Sequence, residues 1–127
     1  LFAAGINLMG VVDRRGRFAG RNTLFHVGPK ESEDPALWAI ISPITQMAKL
    51  RAPLLILHAD QDRNVSVEQT HILVDELERL GKDHEVRIYP GEAHGLADPR
   101  NQLDSYQRIL AFLDRHLRGT AGALKEK

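Results

Sequence analysis

Pro53-Leu54-Leu55-Ile56-Leu57-His58-Ala59-Asp60-Gln61-Asp62-Arg63-Asn64-Val65-Ser66 is the stretch on which the fold turns. Its apolar part runs without alternation, with Pro53 ahead of it and a polar cluster behind. That is the pattern of a strand buried on both faces, as in a parallel sheet. Ser66-Val67-Glu68-Gln69 then matches a capping box, in which the Ser hydroxyl accepts from the N3 amide and the Gln side chain reaches back. Leu73, Val74, Leu77 and Leu80 recur at helical spacing, and Gly81 supplies the stop. His84-Glu85-Val86-Arg87-Ile88-Tyr89 follows, alternating polar and apolar as a strand nearer a sheet edge does.

Upstream, Phe2 to Val12 is small and apolar, with Gly5 and Gly10 interspersed. Each glycine would cost about 1 kcal/mol in a helix interior, so a third strand is expected. Asp13 to Asp34 reads as a long surface loop, with Phe25 and Trp38 packing under it. A short helix is expected over Pro35–Ser42, ended by Pro43. Downstream, Asp98-Pro99 starts a helix as an N-cap carboxylate followed by proline at N1. Leu103, Tyr106, Leu110, Leu113 and Leu117 line one face of that helix, and residues 119–127 read as a flexible tail. The alternation predicts an α/β fold of three layers, with about three parallel strands, right-handed crossovers and flanking helices, as one domain over residues 1–118.

The 127 residues carry 17 Lys+Arg against 17 Asp+Glu. Bulk electrostatics therefore draw the chain to neither nucleic acid nor an anionic membrane, and neither partner is expected. No apolar run reaches the roughly 20 residues of a helical bilayer span. Without cysteine there is no disulfide, thiol nucleophile or thiolate metal site. His26, His58, His71, His84 and His116 show no paired metal-ligand spacing, so no metal or other cofactor is expected. Leu1-Phe2-Ala3-Ala4 has no initiator Met, basic n-region or small-residue cleavage site, so it is not a signal peptide. The chain reads as the middle of a longer protein.

In open parallel sheets, chemistry gathers beyond the carboxyl ends of the strands. Asp60-Gln61-Asp62-Arg63-Asn64-Val65 follows one strand, and Pro90-Gly91-Glu92-Ala93-His94-Gly95 follows the other. If those strands are neighbours, an aspartate and a histidine meet at one edge. A carboxylate that accepts from imidazole Nδ1–H fixes the tautomer and stabilises the imidazolium. Asp62 alone would be a turn residue satisfying loop amides, and His94 alone a surface histidine; it is the pairing that favours chemistry. Asp60 is expected to be a turn or cap residue. Asp60-x-Asp62 also mimics the phosphotransfer pair of haloacid-dehalogenase-type phosphatases, but it lies mid-chain rather than on a first strand. Asn64-Val65-Ser66 fits a glycosylation sequon, with no secretory signal to support it.

Phe2-Ala3-Ala4-Gly5-Ile6, Ser42-Pro43-Ile44, Pro53 to His58, Asp62-Arg63-Asn64-Val65 and Tyr89-Pro90-Gly91-Glu92-Ala93-His94-Gly95 together resemble the end of the catalytic domain of the prolyl oligopeptidase family. This branch of the α/β-hydrolases includes dipeptidyl and acylaminoacyl peptidases. The resemblance covers nearly the whole chain except the Asp13–Asp34 loop. It implies that Asp62 is a triad aspartate, that His94 is the triad histidine, and that Asn64 is a polar side chain near the substrate backbone.

The family's nucleophile sits in a Gly-x-Ser-x-Gly elbow that would precede Phe2. Ser32, Ser42, Ser66 and Ser105 all lack that context. One oxyanion amide follows the nucleophile and the other donor comes from earlier still, so both fall outside this sequence. The expectation is the C-terminal part of a serine peptidase or hydrolase, inactive alone, acting on peptide or acyl substrates once completed. The alternative is a non-catalytic, self-associating module with a decayed hydrolase fold. The resemblance also makes these strands the last three of eight, which leaves the Phe2–Val12 strand with an unpaired edge. A homodimer, or pairing with a missing N-terminal fragment, is expected there.

Overall fold

The computed structural model describes residues 2–15 and 33–123, with side chains as far as residue 118. Most of the expected Asp13–Asp34 loop, with Phe25, His26 and Ser32, lies outside the described residues. The elements in chain order are β1 (Gly5–Leu8), α1 (Pro35–Ile40), a 3₁₀ helix (Pro43–Lys49), β2 (Leu54–Ala59), α2 (Glu68–Arg79), β3 (His84–Tyr89) and α3 (Pro99–Ala123). One sheet has the order β1-β2-β3, and both pairings are parallel. Leu55 faces Ile6 on one side and Glu85 on the other.

β2 is the central strand, and successive side chains on it feed two cores. Leu55, Leu57 and Ala59 pack with Tyr89, Leu96 and Phe112, beneath α3. Ile56 packs with Leu73, Leu77, Val12 and Ile44, beneath α2 and the 3₁₀ helix. Helices thus cover both faces of a parallel sheet, the three-layer α/β arrangement expected.

Several local features depart from the sequence reading. β1 stops at Leu8 rather than Val12 because Met9 adopts a left-handed backbone (φ 49°) and the Asn7 side-chain oxygen accepts the Gly10 amide at 2.9 Å. The segment after Pro43 is not merely a helix end but a 3₁₀ helix of its own, which ends where Leu50 returns to extended backbone. α3 continues past Gly119 to Ala123, and residues 124–127 lie outside the described residues.

The capping box does not form. Ser66 Oγ accepts the Glu68 amide at 3.3 Å, and Gln69 turns inward instead of reaching back. Its Oε1 accepts the amides of Val12 and Asp13 at 2.8 and 2.7 Å, while its Nε2 donates to the Asp13 carbonyl at 2.8 Å. The chain leaving β1 has no strand partner at that point among the described residues, so its amides need a side-chain acceptor. Gln69 provides it from the first turn of α2.

The apolar stripe on α3 points largely outward. Leu103, Tyr106 and Leu110 are 59%, 64% and 67% exposed, while Phe112 supplies the buried contact. Tyr106 shares a cavity of about 320 Å³ with Leu8 and Met9 at the free edge of β1. The exposed stripe and the strand edge that no other strand pairs among the described residues therefore adjoin one another.

Candidate active site

Asp62 lies in the turn after β2, and His94 in the turn after β3. Because those strands are adjacent and parallel, with His58 beside Ile88 and Ala59 beside Tyr89, both turns leave the sheet at the same edge. His94 Nδ1 is 2.7 Å from Asp62 Oδ2. The other carboxylate oxygen accepts the amides of Asn64 and Val65 at 2.8 and 2.9 Å. The Asp62 side chain is wholly buried, whereas that of His94 is 42% exposed.

A carboxylate only accepts, so His94 carries its proton on Nδ1. Its Nε2 has no hydrogen-bond partner among the described residues. His94 lines a cavity of about 470 Å³ with Gln61, Arg63, Asn64, Gly91 and Ala93, and also borders the apolar cavity beside Tyr106. The arrangement is a buried carboxylate against a half-exposed imidazole whose second nitrogen has no partner among the described residues.

The two turns are tied to each other. Asp60 Oδ1 accepts the Gly91 amide at 2.7 Å, the structural role expected of it, and the Gln61 amide donates to the Glu92 carbonyl at 2.9 Å. Gly91 and Gly95 hold left-handed backbone (φ 73° and 100°) on either side of His94, which favours glycine at both. The Gly95 amide points at Met9 Sδ, 3.2 Å away, joining the His94 turn to the end of β1.

Glu92 was not singled out from sequence, yet it closes the His94 loop. Its carboxylate accepts the amides of Ala97 and Asp98 at 2.6 and 3.0 Å and the Asn101 side-chain amide at 2.7 Å. The available signal was its position a few residues ahead of a helix start, where orphan amides seek acceptors. Asp98 also caps as expected, accepting the Arg100 amide at 2.8 Å.

Among the described residues, the serines hold structural hydrogen bonds. Ser42 Oγ donates to the Trp38 carbonyl and accepts the Arg14 amide, and Ser105 Oγ donates to the Gln102 carbonyl. Asn64 is exposed at the rim, one residue from Arg63.

Burial pushes the Asp62 carboxyl up, but the Val65 amide, His94 and the Asn64 amide more than offset this and hold it below the usual carboxylate range. A carboxyl lowered on folding stabilises the native state above its unfolded pKa of about 3.9 and loses that contribution as pH falls through its folded value. The urea midpoint should therefore drop as pH is lowered below about 4. Asp62→Asn should flatten part of that drop; equal slopes in parent and variant would show that Asp62 is not so poised.

Three parallel strands sandwiched between helices, with a carboxylate and an imidazole meeting beyond their carboxyl ends, fit the C-terminal part of an α/β-hydrolase fold. The profile of the Prolyl oligopeptidase family matches residues 1–120, and the chain belongs to that family. It is 32% identical over 79 residues to the uncharacterized peptidase YuxL of Bacillus subtilis, covering 60% of this chain and 12% of that protein. Over 72 residues it is 36% identical to human dipeptidyl peptidase 8, covering 57% of this chain and 8% of that one. Among solved structures, the Pyrococcus horikoshii acylaminoacyl peptidase superposes with a TM-score of 0.84 at 25% identity, over 93% of this chain and 20% of that one. The chain thus spans a fifth or less of the length of these three proteins.

Proposed function

We propose that this chain supplies the acid and base of a serine-hydrolase triad, with Asp62 orienting His94 as general base. The observation that carries this reading is the 2.7 Å contact between a buried carboxylate and a half-exposed imidazole. In the reaction, His94 Nε2 takes the proton of a serine hydroxyl as its oxygen attacks an acyl carbon. It returns that proton to the leaving group as the acyl–leaving-group bond breaks, then takes a proton from water, which attacks the acyl enzyme, frees the acid and restores the serine hydroxyl. The positive charge that forms on His94 is stabilised by Asp62. The names of the relatives, dipeptidyl peptidase and acylaminoacyl peptidase, favour peptide or acylated-peptide substrates. Asn64, which lines the same cavity as His94, would meet a substrate's backbone on this reading.

The nucleophile and oxyanion donors belong to polypeptide outside these 127 residues, so the chain alone is inactive. The segment carrying them covers the free β1 edge and the exposed α3 stripe; separated from it, the chain dimerises through that surface. A non-catalytic, self-associating module is not favoured, since nothing in the acid–base contact is decayed.

A fluorophosphonate probe tests both points. The chain alone should remain unlabelled, and a fragment bearing a Gly-x-Ser-x-Gly elbow should acquire label when the chain is added, as light scattering shows the dimer giving way to a mixed complex. Labelling of the chain by itself would overturn the assignment, and a clean monomer at high concentration would count against the edge.

A further inference from the structure

His58 interrupts the apolar run of β2. It is fully buried, and on the alternation of the strand it shares the α2-facing side with Ile56. Its Nε2 lies 3.0 Å from the Val65 carbonyl and its Nδ1 2.7 Å from Thr70 Oγ1 on α2. A carbonyl only accepts, so Nε2 bears the proton; in the neutral ring Nδ1 then accepts from the Thr70 hydroxyl. The same Nε2 lies 3.5 Å from Asp62 Oδ2, the oxygen that meets His94. That is too long for a good hydrogen bond, but it brings a positive N–H dipole beside a buried negative charge. Burying an imidazole in place of a hydrocarbon costs desolvation, and here both nitrogens are committed around the Asp62 turn.

We propose that His58 is a positioning residue for the Asp62–His94 pair. Its Nε2–H pins the Val65 carbonyl, which closes the turn whose Asn64 and Val65 amides grip Asp62 Oδ1. With that oxygen fixed, Oδ2 is held toward His94. The Val65 carbonyl sets the tautomer of His58, and the Thr70 hydroxyl, donating to Nδ1, holds the ring in place, so α2 helps to define the orientation of a base on the far side of the carboxylate. The inference rests on the proposed role of the pair and adds a third layer behind it.

The test is the strongly deshielded proton resonance of His94 Nδ1–H, observed in the polypeptide that carries these residues. Asp62→Asn should abolish it; persistence there would defeat the pair itself, independently of His58. With that control in place, His58→Gln, whose side-chain amide can donate as Nε2–H does, should retain the resonance, and a folded His58→Leu should lose it. Retention in folded His58→Leu, or loss in both variants, would overturn the donor role. If His58→Leu does not fold, Thr70→Val decides: it keeps the ring and exchanges the hydroxyl that holds it for a methyl group, so a shifted resonance supports the inference and an unchanged one overturns it.

Discussion

Asp62→Asn is expected to lower turnover by about four orders of magnitude in a polypeptide that unites these residues with a nucleophilic serine. The size of the effect follows from which way the amide must face. The Asn64 and Val65 amides both need an acceptor where Oδ1 stands, so the asparagine oxygen is held there. Its NH₂ is then presented to His94 Nδ1, where a donor meets a donor unless the imidazole moves its proton to Nε2. That tautomer has no lone pair for a serine proton. Ester hydrolysis by the variant, with kcat measured against the parent, checks this. A loss of less than tenfold would mean that the 2.7 Å contact is not what orients the base.

Gln69→Leu should produce the largest loss of stability. Leucine fills the volume but leaves the Val12 and Asp13 amides without their acceptor and the Asp13 carbonyl without its donor. Unsatisfied groups of this kind cost about 1–3 kcal/mol each, and partial access of water at Asp13 reduces the sum to about 3 kcal/mol, or roughly 10 °C in Tm. Gln69→Glu keeps an acceptor for both amides and should lose less. Chemical denaturation of the two variants gives the comparison, and a leucine variant within about 0.5 kcal/mol of the parent would show that the exit from β1 repairs itself.

The parts of the fold legible in sequence are those fixed by local pattern. The uninterrupted run at Leu54 and the periodicity of Leu73 and Leu77 report burial directly, so β2 and α2 fall where expected. The meeting of Asp62 and His94 is also legible, because adjacent parallel strands bring their carboxyl ends together. Gln69 was misassigned because its partners lie 56 and 57 positions away, and a local capping pattern cannot compete with a contact it does not contain. On α3, periodicity reveals that a face exists but not which way it points. Phe112 turns inward while the stripe through Leu103 and Leu110 turns out. Glu92 was missed for the reason that applies to Gln69: its worth lies in amides presented by another element.

The free margin of β1 has a direction as well as a surface. The twofold axis that can join two such margins through ladder hydrogen bonds stands normal to the sheet and reverses the strand, so the joint between two three-stranded sheets is antiparallel. In that arrangement each copy's His94 lies at the opposite rim from its neighbour's, and neither lends the other a hydroxyl. A strand that continues the parallel order instead delivers its own carboxyl end beside Met9 and Gly95. Self-pairing can therefore shield the margin from water, while the proposed chemistry calls for a co-directional neighbour.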